Sequence, residues 1–125
     1  MNFIKIDPRP GHPKFLKDEI RASFILQSKQ KNIYSLRLCV GKYIFDKLGI
    51  NEKDKISFYY EEKDKKQWLI KKSFTNIGYV SRLLSTNYYK IQITTWRLFC
   101  PSEEERGTRT IKYDFHDGGC RLYFE

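Results

Sequence analysis

Cysteine is scarce and odd in number. Cys39, Cys100 and Cys120 are the only three, and no two stand close in sequence. Such a set does not make a disulfide framework. With only His12 and His116 to help, and no Cys-x-x-Cys or His-x-x-x-His spacing, it makes no zinc site either. No phosphate-cradling glycine loop is present, so no cofactor is expected. Apolar runs are short, and none approaches the roughly 20 residues of a membrane span. Met1 to Asp7 lacks the apolar stretch of a secretory leader, and neither end carries a lipidation signal. These absences predict a soluble, cytoplasmic chain with reduced thiols and no membrane partner. A catalytic constellation is missing too. His116 and Cys120 bracket a tight turn, but a nucleophile also needs an orienting third group and an oxyanion site. The pair is expected to be structural, and the chain is not expected to be an enzyme.

What the chain does have is positive charge and aromatic rings. At 125 residues it fits one domain, 1–125, large enough to bury one core. Nine Tyr, nine Phe and two Trp must supply much of that core, since aliphatic content is low. The formal charge is +9. Self-repulsion of that size works against a compact state, so the excess points to a polyanionic partner. The surplus is uneven. Residues 1–31 carry seven basic and three acidic side chains, and residues 32–72 carry ten and six, a balance of +4 in each case. Residues 73–125 carry seven and six, a balance of +1.

Hydropathy alternation predicts a mainly β chain with short helices. Phe3 to Ile6 reads as a short strand, and Pro8, Pro10, Gly11 and Pro13 then impose an extended connector. Phe15, Ile20 and Phe24 recur at a loose helical spacing, so Lys14 to Ser23 reads as a helical stretch. From Ile33 to Val40, Tyr34, Leu36, Leu38 and Val40 share one face of a strand. Tyr43, Ile44 and Leu48 give a short helix, with Gly49 placed to cap it in a left-handed conformation. Ile56 to Tyr60 and Gln67 to Lys72 form a hairpin about the polar run Glu61 to Lys66. Phe74 to Ser85 reads as a connector with a helical turn through Val80, Leu83 and Leu84. Tyr88 to Thr95 is a strand, Pro101 and Glu103 to Gly107 a polar break, and Ile111 to Phe115 with Arg121 to Phe124 a closing hairpin.

The two halves resemble each other. The strands at Leu36 and Ile56 recur about 55 positions later at Ile91 and Ile111, and the strand at Trp68 recurs at Arg121 at nearly that offset. Each unit reads strand, connector, strand, hairpin, strand. An N-terminal arm (1–31), a first unit (32–72), a connector (73–87) and a second unit (88–125) would then build a small pseudo-symmetric β-barrel, which leaves no open sheet edges.

The stretch from Ser35 to Lys72, about a third of the chain, resembles the AbrB-like swapped-hairpin family. Leu48, Gly49 and Ile50 match its helix-ending signature, and Lys53-Asp54 stands where Gly-Asp is usual. The resemblance implies a DNA-binding barrel built from two interleaved units, here both in one chain. The family's proline at the start of the short helix is Gly41 here, and its DNA-contacting helical arginine is replaced by Phe45.

The candidate nucleic-acid-binding residues are Lys29, Lys31, Arg37, Lys42, Lys65, Lys66, Lys71 and Lys72. The lysines would neutralise phosphates, and a planar guanidinium at Arg37 can also make paired bonds to phosphate or guanine. Arg9, Lys14 and Lys17 of the arm could follow a phosphate backbone. The expected function is that of a nucleic-acid-binding regulator or accessory protein, DNA before RNA, acting as monomer or homodimer. The alternative is a protein-binding inhibitor or adaptor of phage or plasmid type, whose basic face covers an acidic surface.

Overall fold

The computed structural model describes residues 2–5, 17–31, 33–84 and 87–124. The Pro-rich segment and its cations Arg9 and Lys14 lie outside them. Nine strands and one short helix follow in the order β1 (Ile20–Ser28), β2 (Ile33–Gly41), α1 (Lys42–Leu48), β3 (Lys55–Tyr60), β4 (Gln67–Lys72), β5 (Tyr79–Leu83), β6 (Tyr88–Trp96), β7 (Arg109–Thr110), β8 (Lys112–His116) and β9 (Gly119–Tyr123). A 3-10 turn, Glu103–Glu105, stands in the connector after Pro101. All pairings are antiparallel, in the order β7-β1-β2-β6-β5-β3-β4-β9-β8.

The two ends of that order meet. β7 and β8 are separated in sequence only by Ile111, whose N–H donates to Ile20 O at 2.9 Å, while Tyr113 Oη donates to Asp18 O at 2.7 Å. β7 and β8 are therefore the halves of one bent strand, and the sheet is a nearly closed barrel with eight wall positions. Equivalent strands of the two units are neighbours. β2 pairs with β6 about a central Arg37–Gln92 pair, so that Leu36 faces Ile93 and Leu38 faces Ile91. β4 pairs with β9, with Trp68 facing Leu122 and Leu69 facing Arg121. A pseudo-twofold axis thus passes through two opposite walls.

Each unit holds one strand more than the sequence pattern predicts. β1 precedes β2 and β5 precedes β6, each as an antiparallel neighbour. Ile20–Ser28 is strand rather than the end of a helix: Ile20, Ala22 and Phe24 point inward against β2, a period of two that overrides the looser helical spacing. Tyr79–Leu83 is strand rather than a helical turn. Asn2–Lys5 has no strand pairing, and Phe3 and Ile4 are exposed.

The core follows the inward positions of every strand. Phe24, Phe58, Trp68, Trp96, Phe99 and Phe124 pack edge-on, tilted or stacked at one end, with ring centroids 5.1–6.1 Å apart. At the other end Phe45 of α1 stacks on Tyr89 at 4.4 Å. Gly49 ends α1 with φ 69°, donating its N–H to Asp46 O, and Asp117-Gly118 (φ 52° and 75°) make the tight turn of the last hairpin.

Candidate nucleic-acid interface

The eight sequence-derived cations do not share a face. Lys29 and Lys31 sit in the exposed β1–β2 turn, Arg37 lies on the outward side of β2, and Lys42 opens α1 just beyond it. Lys65 and Lys66 lie in the β3–β4 turn, and Lys71 and Lys72 end β4. β2 and β4 are four wall positions apart in either direction round the ring, so the two groups occupy opposite walls.

The second group is largely neutralised where it stands. Lys66 Nζ is 2.7 Å from Glu105 Oε2, Lys71 Nζ 3.3 Å from Asp117 Oδ2, and Lys72 Nζ 3.5 Å from Asp54 Oδ2. Arg121, on the same wall, grips Asp114 through Nε and Nη2 at 3.0 and 2.9 Å, and Tyr123 Oη donates to the same carboxylate at 2.9 Å. These contacts hold three carboxyls below their ordinary range: Asp114 through the bonds from Arg121, Glu105 through the bond from Lys66, and Asp54 first through the Asn51 N–H. Lys65 is exposed, and its carbonyl accepts from Trp68 Nε1 at 2.8 Å.

The wall β1–β2–β6–β5 is different. Its strands contain no Asp or Glu. Arg21 lies opposite Cys39, Cys39 opposite Lys90, and Lys90 opposite Arg82, so one transverse row carries three cations around a thiol. At about 4.8 Å per strand that row spans about 14 Å. Arg37 stands in the next row, between Ser23 and Gln92. Arg21 is held by Glu19, with Nε 3.0 Å from Oε1. Arg37, Lys90 and Arg82 have no ion pair among the described residues, and Arg37 Nε is buried without an acceptor there. Cys39 senses the row: burial pushes its thiol up, while Arg37, Lys90 and Arg21 each pull it down. Apart from Glu19 at Arg21, the wall lacks the countercharges of an ordinary solvated face, and a buried guanidinium donor without a partner is costly.

Arg21, Arg82 and Lys90 are absent from the sequence-derived set. A signal for them exists. From Ile20 to Phe45, and again from Lys65 to Ser102, the chain has no acidic residue at all. The first stretch contains β1 and β2, and the second contains β4 as well as β5 and β6.

His116 pairs with Gly119 and Cys120 with Phe115, so the two side chains point to opposite faces of the hairpin. Burial pushes the Cys120 thiol up to about 12, away from any reactive thiolate. Among the described residues, no group of three or more His, Cys, Asp or Glu gathers at one place, and no helix is long and apolar enough to cross a membrane. Phe45 is buried against Tyr89 and reaches no surface. No protein-family model, curated protein or solved structure matches the chain.

Proposed function

We propose that the protein binds nucleic acid, DNA first, through the outer surface of β1–β2–β6–β5, as a regulator or accessory factor. One observation carries the reading: Arg21, Lys90, Arg82 and Arg37 gather on four adjacent strands that bear no carboxylate. Lys29, Lys31 and Lys42 extend the same charge to both ends of the β1–β2 hairpin. Ser23, Gln92 and Thr94 stand between the cations as hydrogen-bonding groups for phosphate and sugar oxygens. The resemblance of Ser35–Lys72 to DNA-binding swapped-hairpin barrels supports the same class of ligand.

The test is a titration of labelled single strands and duplexes across a salt series. Affinity is expected to fall steeply as salt rises, with a log–log slope of about −0.7 per phosphate neutralised on a single strand and about −0.9 on a duplex. Absence of binding at low salt would remove the proposal.

A second reading has its own observation. Ser73 Oγ donates to Ile77 O at 2.8 Å, and the N–H groups of Thr75 and Ile77 donate to the hydroxyls of Ser73 and Thr75. This bonded loop holds Phe74 and Ile77 in solvent at 93% and 82% exposure. Two apolar side chains presented that way favour a protein partner, and the adaptor or inhibitor role is the one to pursue if nucleic acid fails to bind.

A further inference from the structure

The barrel wall has a slot between the ends of β3 and β6, farther along β6 than the cation row. In the first unit the residues before β1 run on along β2: Gly41 N–H donates to Glu19 O at 2.8 Å, and Tyr43 N–H to Lys17 O at 3.0 Å. In the second unit the residues before β5 cross β3 instead. Ser73 N–H donates to Lys55 O at 2.8 Å, and Gly78 lies so close to Ile56 O that an added Cβ would stand 2.8 Å from it. β5 therefore begins only at Tyr79, which pairs with Ile56. Past that point no strand separates the end of β3 from the end of β6. The space left is about 210 Å³ and is lined by Phe58, Tyr60, Tyr79, Trp96 and Arg97 among others. Drug-sized ligands occupy about 300 Å³ or more, so this volume suits a single ring system.

The lining has the chemistry of a base site. Tyr60 is half exposed, and Tyr79 is partly buried beside it. Trp96 is 7% exposed, and its indole N–H has no acceptor among the described residues, whereas Trp68 Nε1 is satisfied by Lys65 O. A buried donor left in that state costs free energy until an acceptor reaches it. Arg97 is exposed at the rim, with no ion pair among the described residues. Lys90, Gln92 and Thr94, on the outward side of β6, form a polar track from the cation row toward it.

Resting on the nucleic-acid proposal above, we infer that the slot takes one unpaired base of a single strand. The base stacks against the tyrosine rings beside the Trp96 indole that lines the slot, and Arg97 holds an adjoining phosphate. A base inside a duplex cannot enter without being unstacked, so the site selects single strands.

The experiment uses Trp68→Phe, which leaves Trp96 as the only indole, and follows its emission while a single-stranded oligonucleotide, the matching duplex or inorganic polyphosphate is added. The single strand is expected to shift or quench Trp96 emission, the duplex to do so far less, and polyphosphate not at all. In parallel, Tyr60→Ala with Arg97→Ala is expected to weaken single-strand binding about tenfold and leave duplex binding unchanged. If Trp68→Phe does not fold, this second variant decides alone. Single strands that bind with Trp96 unmoved and with undiminished affinity in the double variant would overturn the slot and leave the wall as the binding surface. An equal emission shift with polyphosphate, which has no bases, would overturn it too. Failure of every polyanion to bind at low salt would remove both the slot and the proposed function.

Discussion

Arg37 and Lys71 are both basic strand residues, and the sequence gives no means of ranking them. The structure separates them by what each touches. Lys71 meets Asp117, and Arg37 has a buried Nε with no acceptor among the described residues. Lys90 stands with Arg37 on a surface without carboxylates. Lys90→Ala is therefore expected to weaken single-strand binding and to lower the salt slope by about 0.7, one phosphate contact. Lys71→Ala on the opposite wall is expected to change neither, and salt titrations of the two variants side by side check it. Arg37 was legible as a candidate because its strand alternates cleanly. Alternation does not reveal Arg82, whose one sequence signal is the acid-free stretch, because in β5 Ser81 points inward and Val80 outward, so its faces carry no hydropathy contrast.

At the scale of elements, strands were readable where apolar and polar positions alternate over five residues or more. β2, β3, β4 and β6 meet that condition, as does α1 with its Gly49 cap. β1 also alternates, through Ile20, Ala22 and Phe24, but the spacing of Phe15, Ile20 and Phe24 offers a competing helical pattern. Only pairing with β2 decides between them. That pairing continues into a tight crossing, where a Cβ at Gly41 would run into the Lys17 carbonyl. Gly41→Ala is expected to destabilise the protein by about 1–3 kcal/mol, as overpacking does, measured as a lowered denaturation midpoint. Asp54 just before β3, Asp114 in β8 and Glu105 of the 3-10 turn are ion-paired with Lys72, Arg121 and Lys66. Their folded pKa values lie below the unfolded ones, so the stability they add is complete above the ordinary carboxylate range and is lost as pH falls through the lower folded values. Thermal melts are expected to be flat from about pH 7 to about pH 5 and to fall below about pH 4. Asp114→Asn is expected to melt lower at neutral pH and to show a shallower acid decline.

For the whole molecule, the repeat announced a barrel, because three strands recur near one offset. What remained hidden was which strands become neighbours, since that depends on partners far apart in the chain. The eight basic candidates looked like one patch in sequence because most belong to the first unit, and the pseudo-twofold axis sends its strands β2 and β4 to opposite walls. In sequence the charge groups by unit, whereas the fold assembles each wall from both units. The seam at Ile111 also governs how the chain reaches this state. Arg21 must find Thr110, and Ile20 must receive the Ile111 amide, across some ninety intervening residues. Such distant partners make folding slow. On the ribosome, β1 and β2 emerge long before the strands that seal them, and until β7 arrives the outer edge of β1 is bare, open to any passing strand of another nascent chain.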